Sequence, residues 1–412
     1  MYKVVFSEAE RGSKVRLSYT NGTLDLPLAE EWYGQNSVPT KTSDPLRIGI
    51  LSSAMINAAG IIRPAQTHGE VVLSAIASRD LKTAQSQAKK YNIAHAFGSY
   101  DELLDSPLVD FVYISLPNGQ HGEWAIKALE KGKHVLLEKA FTANEAEARR
   151  VVETAQRTGK VVMEAFHWQC HPAAHAFKDV VSKHGRILRT HAIMTSPVGS
   201  IPASDIRWQF DLAGGALMDM TYVLSSTRFA LDAGAPVRVN SAHARPSPWD
   251  ARVDEAMDAT LVYRKGSAEG AEGEYDVEAT VYADMRRANV AGLVPRVWEL
   301  PTIEVETERA VVTLYNFMMP HLYHYIAIKD KATGETRYEK HYKYSGKTGA
   351  HGEEYWSTYR WQLEVFVDRL RGREPAHWVT NQSSIDQMKS IDMVYQAAGL
   401  PLRPATRDVV KQ

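Results

Sequence analysis

Apolar residues in the first half of this chain come in short runs separated by amphipathic stretches. Arg47–Leu51, Val71–Ala77, Asp110–Leu116, His134–Glu138 and Val161–Glu164 are runs suited to strands buried on both faces of a sheet. Between them, Asp80–Tyr91, Gly122–Lys131 and Asn144–Thr158 have helical composition. Strands alternating with helices predict βαβ units and a parallel, Rossmann-like sheet. After about residue 185 this alternation stops. Ile187–Thr195, Val237–Ala244, Ala259–Tyr263, Tyr275–Ala283, Thr302–Glu308 and Ala310–Tyr315 then read as strands with few helices between them. That run predicts an open, mostly antiparallel sheet with helices on one face, and helical periodicity returns at Tyr355–Arg371 and Ser383–Ala397.

The first 45 residues are polar, broken by Pro27, Pro39 and Pro45, with a hairpin signal at Asn21–Gly22. The expected organisation is an arm over 1–45, an α/β domain over 46–168, and an α+β sheet domain over 169–412, whose C-terminal helices can fold back on the first domain. A sheet covered on one face leaves the other for a second subunit, so a homodimer is expected.

Composition narrows the classes of function. At 412 residues the chain exceeds one ordinary core, and its net charge of -1 creates no field for nucleic acid or anionic lipid. The single cysteine, Cys170, excludes an internal disulfide and any multi-cysteine metal site. Met1–Lys14 carries charge throughout, unlike a signal peptide, and no apolar run approaches the roughly 20 residues of a membrane helix. A soluble, cytoplasmic protein with a small-molecule partner is expected.

Two strand ends carry candidate chemistry. After the first strand, Gly49–Asn57 places Ser52, Ser53 and Ala54 where a dinucleotide fold needs small residues against the pyrophosphate. A plain strand-to-helix turn explains that loop equally well. After the second strand comes Ala77–Ser78–Arg79–Asp80. An acid there usually meets a free ribose 2′-hydroxyl, whereas Ser78 and Arg79 suit a 2′-phosphate, favouring NADP over NAD. Asp80 can cap the following helix at the same time.

Four elements then occur in order: Ser78–Arg79–Asp80, Leu116–Pro–Asn–Gly–Gln–His121, Gly132–Lys–His–Val–Leu–Leu–Glu–Lys139 and Glu164–Ala–Phe–His167. Together they resemble the Gfo/Idh/MocA (glucose–fructose oxidoreductase / inositol dehydrogenase) family. Within it, the branch of dimeric dihydrodiol dehydrogenases and NADP-dependent D-xylose 1-dehydrogenases looks nearest. The resemblance spans about Leu46–Pro401 and is strongest in the first half.

The resemblance implies that Lys139, after Glu138, lies near the nicotinamide and bonds the reacting oxygen. Ala140 stands where the family has proline, so the bond after Lys139 is either trans, moving the lysine, or cis without proline's help. Pro117, Asn118 and His121 would line the cofactor, although Asn118 can instead cap the next helix. Glu164 and His167 would lie at the crevice between domains. His167 and His171 have the spacing of a metal pair, but no third ligand is suggested and no metal is expected.

In Gly214–Gly–Ala–Leu–Met–Asp219 the family aspartate matches Asp219. Its acid/base residue falls four positions later, at Val223, unless a local deletion brings Tyr222 into that role. The ammonium of Lys139 would then lower the Tyr222 pKa. Should Tyr222 face the core, Asp219 or His167 would carry the proton. Arg207, Trp208, Trp249 and Tyr355–Trp356 can shape a pocket, although the aromatics among them read more readily as packing.

The implied activity is NADP-dependent hydride transfer to or from a carbinol or carbonyl carbon of a sugar-like or cyclic polyol substrate. Two other readings stand beside it. One is a cofactor-binding relative without turnover, suggested by Ala140, Val223 and the glycine-poor loop. The other is a biosynthetic reductase of a bulky non-sugar ketone or imine.

Overall fold

The computed structural model describes residues 3–5, 14–19, 22–27, 39–266, 273–345 and 351–405. In the N-terminal segment β1 (Lys3–Val5), β2 (Lys14–Tyr19) and β3 (Gly22–Pro27) form a small antiparallel sheet. Tyr19 pairs with Gly22, as a hairpin here requires, while residues 20 and 21 lie outside the described residues, like much of the expected arm.

The first large sheet contains β4 (Leu46–Leu51), β5 (Val71–Ala77), β6 (His95–Phe97), β7 (Phe111–Ile114), β8 (His134–Leu137) and β9 (Val162–Glu164). Its order is β6-β5-β4-β7-β8-β9 and every pair is parallel. Ile48, Ile50, Val112, Ile114, Val135 and Leu137 are fully buried, which is why these strands read as unbroken apolar runs. Chain direction reverses its sideways progress between β4 and β7. Ligands in such sheets bind outside the carboxyl ends of the strands at that reversal. The short β6 and the helix Tyr100–Asp105 were not expected from the hydropathy pattern.

The second sheet contains β10 (Ile187–Pro197), β11 (Arg238–Pro246), β12 (Asp254–Lys265), β13 (Tyr275–Arg287), β14 (Thr302–Thr307), β15 (Ala310–Tyr315), β16 (Tyr325–Asp330) and β17 (Thr336–Glu339). They run in the order β11-β12-β13-β10-β14-β15-β16-β17, with only β10 and β13 parallel. Alternation in β13 is clear: Val277, Ala279, Val281 and Ala283 are buried while Asp276 and Glu278 are exposed.

Two helices that the pattern did not pick out, Pro172–Ser182 and Tyr222–Leu231, lie on the apolar face of this sheet. The C-terminal helix Thr358–Leu370 packs instead against Ala58–Gln66 and Phe111 of the first unit. Asn381–Ala397 lies between the two, touching helix Glu145–Thr158, β9 and β11. Among the described residues no helix is long and apolar enough to cross a membrane.

Candidate active site

At the end of β4, Ser52 takes a φ of 145°, a conformation that only glycine adopts readily and that costs other residues about 1–3 kcal/mol. Ser52 and Ser115, which follow adjacent strands, meet through their hydroxyls at 2.7 Å. The next side chain, Ser53, has a buried hydroxyl with no hydrogen-bond partner among the described residues. Beyond it the chain coils through Ala58–Ile62 and passes close to β7 at Gly60, where a Cβ would collide with the Tyr113 hydroxyl.

At the end of β5, Asp80 caps the helix Leu81–Tyr91 by accepting from the amides of Lys82 and Thr83. Arg79 is exposed and, among the described residues, enters no ion pair, and Ser78 is half-buried beside it. Both expected roles at this corner are therefore geometrically compatible.

The loop after β7 behaves differently. Asn118 does not cap its helix, for which Pro117 is the capping residue; its amide reaches the Ala213 carbonyl at 3.4 Å. His121 is fully buried, with Nδ1 2.7 Å from the Ala140 carbonyl and Nε2 2.7 Å from the Leu116 carbonyl. Burial pushes its pKa down to about 4, although the two carbonyls oppose that shift. The neutral ring donates to only one of these carbonyls, and His121, enclosed between the loops after β7 and β8, offers no free polar atom to a ligand.

After β8, buried Glu138 accepts from the Tyr113 hydroxyl at 2.6 Å, and burial raises its pKa. The Lys139–Ala140 bond is cis. Lys139 Nζ donates to the Asp219 carbonyl at 2.7 Å and to its carboxylate Oδ1 at 3.1 Å. Arg207 Nε lies 3.0 Å from the other carboxylate oxygen. Burial pushes the Asp219 carboxyl upward, yet the charges of Lys139 and Arg207 outweigh it and leave the pKa below the ordinary value.

Asp219 owes its place to a tight glycine turn. Gly215 has φ 137°, a Cβ there would strike Asp254 and Arg403, and Asp254 accepts from the Leu217 amide at 2.8 Å. Lys139, Asp219 and Arg207 come from three separate segments, and all three keep some solvent exposure.

Tyr222 begins a new helix after a break at Met220–Thr221, so the register of one continuous helix does not apply. Lys139 Nζ stands 5.2 Å from the centre of the Tyr222 ring. The phenol itself is turned to His167 Nε2, 2.9 Å away, and His167 Nδ1 lies 2.8 Å from the Thr358 hydroxyl. The expected lowering of the Tyr222 pKa is corrected: burial, with nearby Tyr359 and Glu138, raises it well above the ordinary phenol value. Lys139 faces the ring and not the hydroxyl, so burial decides the sign. His167, also fully buried, spends both ring nitrogens within the protein.

Sequence reasoning missed Asn57, Ser115 and Thr358, and gave Arg207 only a place in shaping a pocket. The only available signal for Arg207 was its place just before the glycine turn. Among the described residues no group of three or more His, Cys, Asp or Glu side chains is arranged to hold a metal ion.

Residues 46–166 match the model of the Gfo/Idh/MocA oxidoreductase family, described by its NAD-binding Rossmann fold. The chain is 30% identical over 357 residues to D-xylose 1-dehydrogenase (NADP(+)) 2 of Haloferax volcanii, covering 86% of this chain and 97% of that relative. It is 31% identical over 228 residues to trans-1,2-dihydrobenzene-1,2-diol dehydrogenase of Sus scrofa, covering 54% of this chain and 65% of the relative. In structure it resembles KijD10, a 3-ketoreductase from Actinomadura kijaniata solved with NADP and TDP-benzene. The TM-score is 0.68 at 25% identity, over 86% of this chain and 98% of KijD10. The two-sheet architecture, the strand-order reversal between β4 and β7 and these similarities agree: the chain belongs to the Gfo/Idh/MocA family of oxidoreductases.

Proposed function

We propose that this oxidoreductase uses NADP and acts on a carbinol or carbonyl carbon of a sugar-like or cyclic polyol substrate. The observation that carries the reading is Lys139, fixed at the carboxyl end of β8 by Asp219 and backed by Arg207. The cofactor supplies or receives the hydride. Ser78 and Arg79 would hold its 2′-phosphate and the Ser53 hydroxyl its pyrophosphate, with Ser52 and Ala54 allowing only close backbone approach; among the described residues the Ser53 hydroxyl has no partner and Arg79 no ion pair, which fits that assignment. Two relatives named above bind or are named for NADP, which favours it over NAD. The sugar-like substrate class rests on the xylose dehydrogenase and dihydrodiol dehydrogenase names.

Lys139 would bond the reacting oxygen, with Asp219 fixing the direction of its ammonium. Tyr222 would give or take the proton. Its phenol is protonated at neutrality, and the His167 Nε2 contact at 2.9 Å would orient its hydroxyl, since burial lowers the His167 pKa well below its ordinary value. Asn118, Pro117 and Glu138 would shape the loops around the nicotinamide half, and His121 and His167 would act by holding those loops and Tyr222 in place. The Lys139–Asp219–Arg207 set argues for a working site over a binding protein without turnover.

We divide the chain into the arm at 1–45, the nucleotide domain at 46–168 and the sheet domain at 169–412. The outer face of the second sheet, where Tyr315 stacks on Tyr325 at 4.9 Å beside exposed Tyr338, is proposed to join a homodimer. The one cysteine, buried and free, fits the cytoplasm.

The test is Lys139→Met. Turnover should fall about a thousandfold while NADPH binds within a few-fold of the unaltered protein. Undiminished turnover would remove Lys139 from the chemistry.

A further inference from the structure

We infer that Asn57 and Ser115 are positioning residues for the dinucleotide: with Ser52 they form a buried ring of hydrogen bonds that does the work of a glycine in the phosphate loop. Ser52 and Ser115 sit at the carboxyl ends of β4 and β7, the pair of strands at which the sheet order reverses. Asn57 lies on the turn between β4 and the coil at Ala58–Ile62. All three side chains are at least nine-tenths buried.

The bonding pattern fixes its own direction. The Asn57 amide nitrogen donates to the Ser52 carbonyl at 3.0 Å, which leaves Asn57 Oδ1 as an acceptor. Ser115 donates to that oxygen at 2.5 Å, so its hydroxyl proton is committed. Ser52 then donates to Ser115 across their 2.7 Å contact, much closer than its 3.5 Å approach to Asn57 Oδ1, and its oxygen accepts from the Ala54 amide at 3.1 Å. Each hydroxyl has one proton to give, and each is used once.

This ring bears on an unusual backbone. Ser52 holds φ 145° while its amide still reaches the Ala77 carbonyl, continuing the sheet ladder. A Cβ makes that conformation unfavourable, and three of the contacts above fall on Ser52 itself. The backbone shape that lets a chain pass close to a pyrophosphate is therefore held by side chains from two neighbouring segments. The Ala54 amide is occupied by Ser52 and so is withheld from a phosphate.

The readout is NADPH affinity, measured by fluorescence titration alongside thermal unfolding. Asn57→Ala should weaken NADPH about tenfold or more, since it releases two buried bonds on the loop. Ser52→Gly alone should bind as well as the unaltered chain or better, because glycine takes this φ freely and frees the Ala54 amide. The decisive variant is Ser52→Gly with Asn57→Ala, which should restore affinity to within about threefold of the unaltered chain. Should Asn57→Ala fail to fold, Ser115→Ala with and without Ser52→Gly gives the same comparison.

Unchanged affinity in Asn57→Ala, or a loss that Ser52→Gly does not rescue, would overturn the inference. The inference rests on the nucleotide fold and not on the proposed chemistry. A protein that never binds NADPH would sink the proposed cofactor; normal binding with no effect of Asn57 would sink only the ring.

Discussion

The two ends of the proposed cofactor track are built on opposite plans. At the carboxyl end of β5, Arg79 stands exposed and has no ion-pair partner among the described residues, and Ser78 is half-buried beside it. At the carboxyl end of β8, Lys139 is already bound by the carboxylate and carbonyl of Asp219, with Arg207 behind and the Tyr222 ring alongside. A free guanidinium costs little to desolvate partly and gains its partner only when a phosphate arrives, so it contributes to affinity. A lysine with its direction fixed beforehand gains little from binding but spares reorganisation during reaction. Affinity and chemistry are thus assigned to different strand ends.

This division is open to attack by substitution. Asp219→Asn removes the charge between Lys139 and Arg207, and turnover should fall about a hundredfold while NADPH affinity stays within a few-fold. A matching loss of affinity would break the separation. Arg79→Ala should weaken NADP about ten- to a hundredfold, leave NAD nearly unaffected, and preserve turnover at saturating cofactor. Equal losses for the two nucleotides, measured by titration, would take Arg79 away from the 2′-phosphate.

The smallest effect concerns Glu164, beneath the reactive end, whose pKa burial raises to about 8. The folded chain holds this proton more tightly than the unfolded one, whose glutamate titrates at about 4.3. The associated stability is fully present below that value and is lost as pH rises through about 8. Glu164→Gln, which keeps an acceptor for the Phe141 amide, should raise the melting temperature by a few degrees at about pH 8. It should do nothing near pH 4, and a gain of equal size at both would mean the carboxyl is ionised throughout.

The first sheet was largely legible in the sequence because its strands are buried on both faces and its helices keep a polar side. Helix Tyr222–Leu231 was not, since nearly every residue in it is buried and no polar stripe marks its period. His95–Phe97 is simply too short to leave a pattern. At the site, Lys139 and Asp219 were reached through family resemblance, whereas their contact joins residues 80 positions apart. The sign of the Tyr222 shift was misjudged because a nearby cation is visible in a sequence motif and burial is not. Ser52, Ser115 and Asn57 carry ordinary turn chemistry one by one; only the adjacency of β4 and β7 turns them into a ring.

The helix Thr358–Leu370 has a consequence for how the protein is made. It packs on Ala58–Gln66, directly after the phosphate loop, and its first residue bonds His167. All six strands of the parallel sheet have been synthesised by residue 164, but the piece that completes the wall of this unit follows nearly two hundred residues later. β10 waits in the same way for β13 and β14. Translation at about 5–20 residues per second leaves the nascent nucleotide unit open on one side for at least about ten seconds, a natural window for chaperone engagement.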